Sequence, residues 1–199
     1  MRNISKRSLL SAALMGLALF LPQQAHALSA LSVDSGGAII TIDDLVGDTM
    51  LGMPGVVGYT GASTDGVFNL NVVTGLTPPF LGGPSDPVLD LNSISVSSSS
   101  TGTLILMLTT SGLTGPLPSG DALFFAGGTT NGTITLESFI DPTNVLFGTS
   151  IKTGEIGSFG PVAFSGSDST LGLTLSSPYS ATIVATIVHD DPGDVTSFD

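Results

Sequence analysis

Short runs in which Leu, Ile, Val or Phe take every second position recur along this chain, with Ser, Thr and Asn between them. Successive side chains of a strand point to opposite faces. A period of two therefore builds a strand with one buried and one solvated face, and is out of phase with a helix. In Val67–Thr74 (VFNLNVVT), Phe68, Leu70 and Val72 fall on one face, and Asn69 and Asn71 on the other. Thr103–Thr109 (TLILMLT) is apolar on both faces and suits the centre of a two-layer fold. Thr133–Ile140 sets Ile134 and Leu136 against Thr133, Thr135 and Glu137, and Ala181–His189 (ATIVATIVH) is β-branched almost throughout. Further strands are expected at Leu31–Asp34, Ala38–Asp43, Val56–Thr60, Val88–Val96, Ala122–Ala126, Val162–Phe164 and Leu171–Leu175.

Turn residues punctuate these runs: Ser35-Gly36-Gly37, Gly82-Gly83-Pro84, Gly115-Pro116, Asn131-Gly132, Asp141-Pro142 and Ser177-Pro178. Asn131-Gly132 predicts a tight type I′ hairpin into Thr133–Ile140, and Ser97–Thr101 (SSSST) reads as a second hairpin loop. In Val88–Val96 the apolar parity changes between Leu91 and Ile94, which places a β-bulge near Asn92-Ser93. The expectation is all-β: a single antiparallel β-sandwich, jelly-roll or Ig-like, of about ten short strands. No repeat of fixed period is present, and one domain, residues 28–199, accounts for the sandwich.

The first 27 residues read as a signal peptide. Arg2, Lys6 and Arg7 form a basic start, Leu9–Leu21 is an apolar run too short to span a bilayer, and Ala25-His26-Ala27 is a small-x-small cleavage site. No later run is long and apolar enough for a transmembrane helix, so the mature chain is expected to be secreted or held at a cell surface by other means.

Charge narrows the function. Three of the four Lys and Arg residues lie in that leader, leaving Lys152 alone against 16 Asp and Glu. A surface with one cation cannot neutralise a phosphate backbone, which excludes nucleic-acid binding, and it lacks the clamps of phosphoryl transfer. The absence of Cys removes disulfides, thiol catalysis and Cys-ligated metals.

The remaining chemistry is thin. Asp34-Ser35-Gly36 matches the triplet around an aspartic-protease carboxylate, but that reaction needs two such carboxylates, and the same residues make an ordinary turn. A serine hydrolase would have to use His189, the one histidine after the leader, and no G-x-S-x-G elbow occurs. Glu137 and Glu155 are the only glutamates a glycosidase could pair, and Glu137 falls on a solvent face. Tyr179, beside Pro178, reads as a strand-edge residue rather than a sugar platform. Calcium is the more credible ligand, since hard cations take Asp carboxylates and loop carbonyls. Three clusters offer them: Asp43, Asp44 and Asp48; Asp141 with Asn144; and Asp190, Asp191 and Asp194 with Asp199. Asp190, Asp191 and Asp194 are the favoured candidate metal ligands, although none of the clusters has EF-hand spacing.

Val72–Pro116, Gly127–Gly148 and Tyr179–His189 resemble exported bacterial proteins of the PEP-CTERM, exosortase-sorted type. The resemblance implies a secreted β-sandwich of a Gram-negative bacterium, associated with exopolysaccharide, biofilm or the cell surface, without an assigned activity. The sorting tail of that type, a Val-Pro-Glu-Pro segment followed by an apolar helix and a basic cluster, does not occur up to Asp199. The expected function is thus a non-catalytic matrix protein whose partners are further copies of itself or extracellular polysaccharide. Exposed edge strands would join it to others, with the apolar Leu28–Asp34 as one such strand. The alternative is a calcium-dependent carbohydrate-binding or adhesion module.

Overall fold

The alternating runs fold into strands that pair only antiparallel. The computed structural model describes residues 27–115 and 119–199; all but the last residue of the expected signal peptide, 1–27, and the Pro116 half of one predicted turn lie outside the described residues. In chain order the strands are β1 (Ser29–Asp34), β2 (Ile40–Asp43), β3 (Val56–Ala62), β4 (Phe68–Leu76), β5 (Gly82–Gly83), β6 (Asp86–Pro87) and β7 (Asp90–Ser98). They continue as β8 (Gly102–Leu113), β9 (Ser119–Thr130), β10 (Thr133–Asp141), β11 (Ile151–Phe159), β12 (Val162–Thr174), β13 (Tyr179–His189) and β14 (Val195–Phe198). One six-stranded sheet has the order β11-β10-β13-β8-β1-β2, the other β12-β9-β14-β7-β4-β3, and β5 and β6 form a small ribbon between β4 and β7. This is the antiparallel β-sandwich that the period-two pattern requires.

Its core is the meeting of the two inner faces. Leu104, Leu106 and Leu108 of β8, Leu31 and Val33 of β1, and Ala185 and Ile187 of β13 are essentially inaccessible. They meet Phe68, Leu70, Ile94, Val96 and Phe198 from the facing sheet in one cluster. Each of these large side chains contributes on the order of 1.5–3 kcal/mol by leaving water. β8 is central, between β13 and β1, as its two apolar faces predict.

The strand count exceeds the expected ten for local reasons. Val162–Phe164 and Leu171–Leu175 are parts of one region, covered by β12 up to Thr174. β11 (IKTGEIGSF) buries Thr153, Gly154 and Ile156, too few apolar side chains to announce a strand, and β5, β6 and β14 are very short.

Both predicted hairpins are corrected. β9 and β10 belong to different sheets, as do β7 and β8, so Asn131-Gly132 and Ser97–Thr101 are arches that carry the chain across the core. A tight turn signal fixes where the chain reverses, not whether the flanking strands pair. At Gly132 the Val188 carbonyl approaches so closely that a Cβ would collide with it, and Asn131 donates its N–H to Val195 rather than across a hairpin.

The bulge near Asn92-Ser93 is present. Val72 pairs with Ser95 and Thr74 with Asn92, so β7 carries one more residue than β4 there, and Ser93 has a left-handed φ of 55°. A second register shift lies after Leu70, and beyond it Val73 is buried, 1% exposed; the side chain of Val72 lies outside the described residues.

Two further expectations change. The N-terminal segment is not a free joining strand: β1 is hydrogen-bonded to β8 on one side and β2 on the other. All of its residues but Asp34 are buried within its own chain. Tyr179 is buried rather than at an exposed edge, packed with Leu113 and Ile140, and its hydroxyl donates to the Gly115 carbonyl.

Candidate functional site

Among the described residues the second sheet contains a break. β14 runs between β7 and β9, antiparallel to both, but it has 4 residues against 9 in β7 and 12 in β9. Asp199 finishes the pairing by exchanging two backbone hydrogen bonds of 3.0 Å with Gly127, and its Oδ1 accepts the Ser93 N–H at 2.6 Å. Past that point no strand among the described residues lies between β7 and the first half of β9.

Strand geometry sets what faces this gap. Alternate residues of a strand direct both N–H and C=O to the same side. Because Gly127 turns both groups towards Asp199, Phe125 and Leu123 turn theirs into the gap. Their side chains point out of the sandwich and are 67% and 64% exposed. On its other side β9 is fully engaged with β12, where Ser167 is opposite Phe125 and Ser169 opposite Leu123.

The gap opens into a cleft of about 520 Å³. Its floor is apolar: Leu89 and Leu91 from β7 and its approach, Phe124 from β9, Phe198, and Leu136 and Ile183 from the opposite sheet. Its rim is acidic, with Asp86, Asp90, Asp121 and Asp199. An adjoining hollow of about 210 Å³ shares Asp86, Asp121 and Phe124 and runs on to Ile140, Leu173 and Tyr179. Lys152, the one Lys or Arg after Arg7, is taken up elsewhere by Glu137 and Glu155.

The candidate calcium ligands lie in the turn between β13 and β14. Asp194 Oδ2 accepts the N–H groups of both Asp190 and Asp191 at 3.1 Å, and the Asp194 carbonyl accepts the Ser98 N–H. Asp194 thus caps the crossing between the sheets. Among the described residues no group of three His, Cys, Asp or Glu side chains is gathered to hold a metal ion.

The other acidic residues also close loops. Asp141 accepts from the Thr143 hydroxyl at 2.6 Å, the Ser150 hydroxyl at 2.7 Å and the Thr143 amide at 2.7 Å. These bonds, the Thr143 hydroxyl foremost, hold its carboxyl below the usual range. Asn144 accepts the Gly112 N–H at 2.7 Å, so the pair pins the 142–150 loop over β8. Asp48 accepts the Leu45 N–H at 2.8 Å, and Asp44 the Gly55 N–H at 2.7 Å. Asp34 accepts the Gly36 N–H at 2.8 Å, the turn reading of that triplet.

His189 ends β13 inside the core, fully buried. Nδ1 is 2.9 Å from the Ser98 hydroxyl and Nε2 2.9 Å from the Thr196 hydroxyl. Burial pushes its pKa down, against weaker upward pulls from Asp194 and Asp190. Glu137 and Glu155 are directly paired across β10 and β11, and Lys152 bridges their carboxylates.

No family model and no curated protein matches the chain. Among solved structures, the enzymatically active domain of tailspike protein 4 from bacteriophage CBA120 aligns at 16% identity with a TM-score of 0.35. The alignment covers 88% of this chain but only 19% of the tailspike chain.

Sequence reasoning missed the cleft. Exposed Leu123 and Phe125 in a strand were its one visible trace, and they read simply as part of a strand until the shortness of β14 is known.

Proposed function

We propose that this protein is exported by a Gram-negative cell and works without catalysis, as a β-sandwich of the extracellular matrix that joins other chains by strand pairing. The observation that carries the reading is the inner edge of β9, unpaired among the described residues: backbone groups of Leu123 and Phe125 face a cleft instead of a neighbouring strand. Strand addition draws on backbone hydrogen bonds and needs no charged side chains, which suits a surface with one lysine.

Two further features support it. The outer edges near β3 and β12 are partly covered. Thr49 donates to the Gly58 carbonyl beside β3, and β12 is tied to β11 by the Thr170 hydroxyl on the Thr153 carbonyl, 2.8 Å. His189, the residue a hydrolase would need as base, is committed to two core hydroxyls. The nearly cation-free surface also keeps the protein from sticking indiscriminately to anionic polysaccharide. No helix among the described residues is long and apolar enough to cross a membrane, which leaves β-barrels aside.

The test is expression of the full chain in a Gram-negative host that forms biofilm, followed by fractionation. Recovery of a leader-cleaved form in the matrix or medium, bound to other matrix protein, is the expected result. A protein that stays in the cytoplasm, or is released as a monomer that associates with nothing in the matrix, would defeat the proposal.

A further inference from the structure

We infer that the cleft between β7 and β9 is an acceptor for one extended peptide strand, and that its occupant carries apolar residues at alternate positions with lysine or arginine between them. The inference rests on the strand-pairing reading above and names the partner chemistry.

Three independent properties of the cleft converge on this occupant. The first is the backbone. Leu123 and Phe125 present N–H and C=O groups along one side, in register with the Gly127–Asp199 pair that ends β14. On the other side Asp90–Asn92 of β7 is paired with β4 and has no strand opposite among the described residues. A strand running in the direction of β14 continues both ladders; about six residues span the open part of β9 at roughly 3.3 Å each. Pairing on both sides at once is what separates this gap from an ordinary sheet edge, which offers hydrogen bonds on one side only.

The second property is the floor. Side chains pointing inward from an inserted strand land on Leu136 and Ile183 of the facing sheet, between Leu91 and Phe124. Ile183 packs against the core but is only partly buried, and no strand among the described residues covers this part of the facing sheet. The adjoining hollow, about 210 Å³, accommodates one larger side chain at the far end.

The third is charge. Asp86, Asp90, Asp121 and Asp199 surround the opening. Outward-facing lysines of the occupant would set their ammonium groups among these carboxylates and lay their aliphatic stems over exposed Leu123 and Phe125. A second copy of this chain fits poorly, since Lys152 is its one Lys or Arg after Arg7 and is already bridged to Glu137 and Glu155. The charge therefore selects a basic segment from a different protein.

Blocked synthetic heptapeptides alternating Val with Lys, and Val with Glu, test the inference by fluorescence anisotropy on the full protein at low and moderate salt. Hydrogen exchange is followed in parallel over 121–126. The Lys peptide is expected to bind at least tenfold more tightly than the Glu peptide, and to slow exchange at Leu123 and Phe125. Its affinity should fall several-fold in the Asp86→Asn, Asp121→Asn double variant, whose fold is checked by its circular dichroism and melting point. The same Lys peptide N-methylated at alternate amides keeps its charge but loses its ladder, and should not bind. No binding, equal binding of both charged peptides, or unaltered exchange at 121–126 overturns the inference. Protection of 121–126 that appears instead with rising protein concentration would make a second copy the occupant. That outcome overturns the basic-peptide assignment while sparing the strand-pairing function.

Discussion

His189 Nε2 lies 2.9 Å from the Thr196 hydroxyl, joining the last residue of β13 to the inner part of β14 in the opposite sheet. With Ser98 on Nδ1, the ring links three strands across the turn that Asp194 caps, and Phe68 packs on it at 5.5 Å between ring centres.

This arrangement makes stability depend on pH in a defined window. Burial lowers the folded-state pKa of His189, so the unfolded chain takes up its proton first as pH falls below about 6.5. Stability is complete above that value and declines as pH drops towards the folded pKa, by at most about 1.4 kcal/mol per pH unit. Denaturant titrations between pH 7.5 and 5 should show this slope, and His189→Gln should be less stable at pH 7.5 but free of it. An identical slope in the variant would assign the effect to other groups. The carboxylates held below their usual range, Asp65, Asp141 and Asp168, act in the opposite region: their contribution is present above about 3.8 and lost at lower pH.

Gly132 is the second test, because it separates an arch from a hairpin. A Cβ there meets the Val188 carbonyl, a backbone atom that cannot swing aside. Gly132→Ala should cost about 1–3 kcal/mol through overpacking. Asn131→Ala should cost far less, since its N–H to Val195 is a backbone bond that the substitution keeps. In a type I′ hairpin both positions would need a left-handed backbone and both substitutions would hurt. Urea midpoints of the two variants decide between these patterns.

The residues that announced themselves in the sequence were those whose environment is local. β8 and β13 were legible because their β-branched and aliphatic runs are buried on one face and at least half-buried along most of the other. The bulge at Asn92-Ser93 showed as a parity change for the same reason. Sheet order was not legible: nothing near Asn131-Gly132 distinguishes strands that pair from strands that face each other across the core. The cleft depends wholly on that order. Leu123 and Phe125 acquire meaning only because β14, short and polar in sequence (VTSF), is inserted between β7 and β9 and stops at Gly127. The Asp190, Asp191 and Asp194 cluster was visible as charge, but its use in capping a turn follows from where the chain crosses sheets.

A buried chain of hydroxyls offers a third prediction. The Ser29 hydroxyl of β1 is 2.6 Å from the Thr77 hydroxyl and 3.1 Å from that of Thr110, and the Thr77 hydroxyl is 3.2 Å from the Gly55 carbonyl. Ser29 lies in the first sheet and Thr77 directly follows β4 of the other, so the link joins the two layers. Thr77→Val keeps the shape and removes one hydrogen bond each from Ser29, which retains Thr110, and from the Gly55 carbonyl, which retains the Thr77 N–H. The expected cost is about 0.5–1.5 kcal/mol, read from the urea midpoint. The double substitution with Ser29→Ala should cost less than the sum of the two single losses, because the bond between the two hydroxyls is lost only once. Additive losses would show that the two hydroxyls act separately.

Asp44 should prove destabilising at neutral pH. Its Oδ2 accepts the Gly55 N–H, while Oδ1 is buried without a hydrogen-bond partner among the described residues. Burial raises the pKa of this carboxyl, the Gly55 bond opposes the rise, and the charge of Asp48 adds to it. A raised pKa means that the folded chain holds its proton to higher pH than the unfolded chain does. Stability from this group is therefore greatest below about 3.8 and is lost as pH climbs through the folded value. Asp44→Asn keeps an oxygen for Gly55 and removes the charge facing Asp48. Because solvent reaches part of the carboxylate, screening should hold the gain to a few tenths of a kcal/mol at pH 7. The melting point of the variant should exceed that of the native protein at pH 7, and the difference should close by pH 3.5. A variant that melts lower at pH 7 would mean that the Gly55 bond requires the full charge and outweighs the burial.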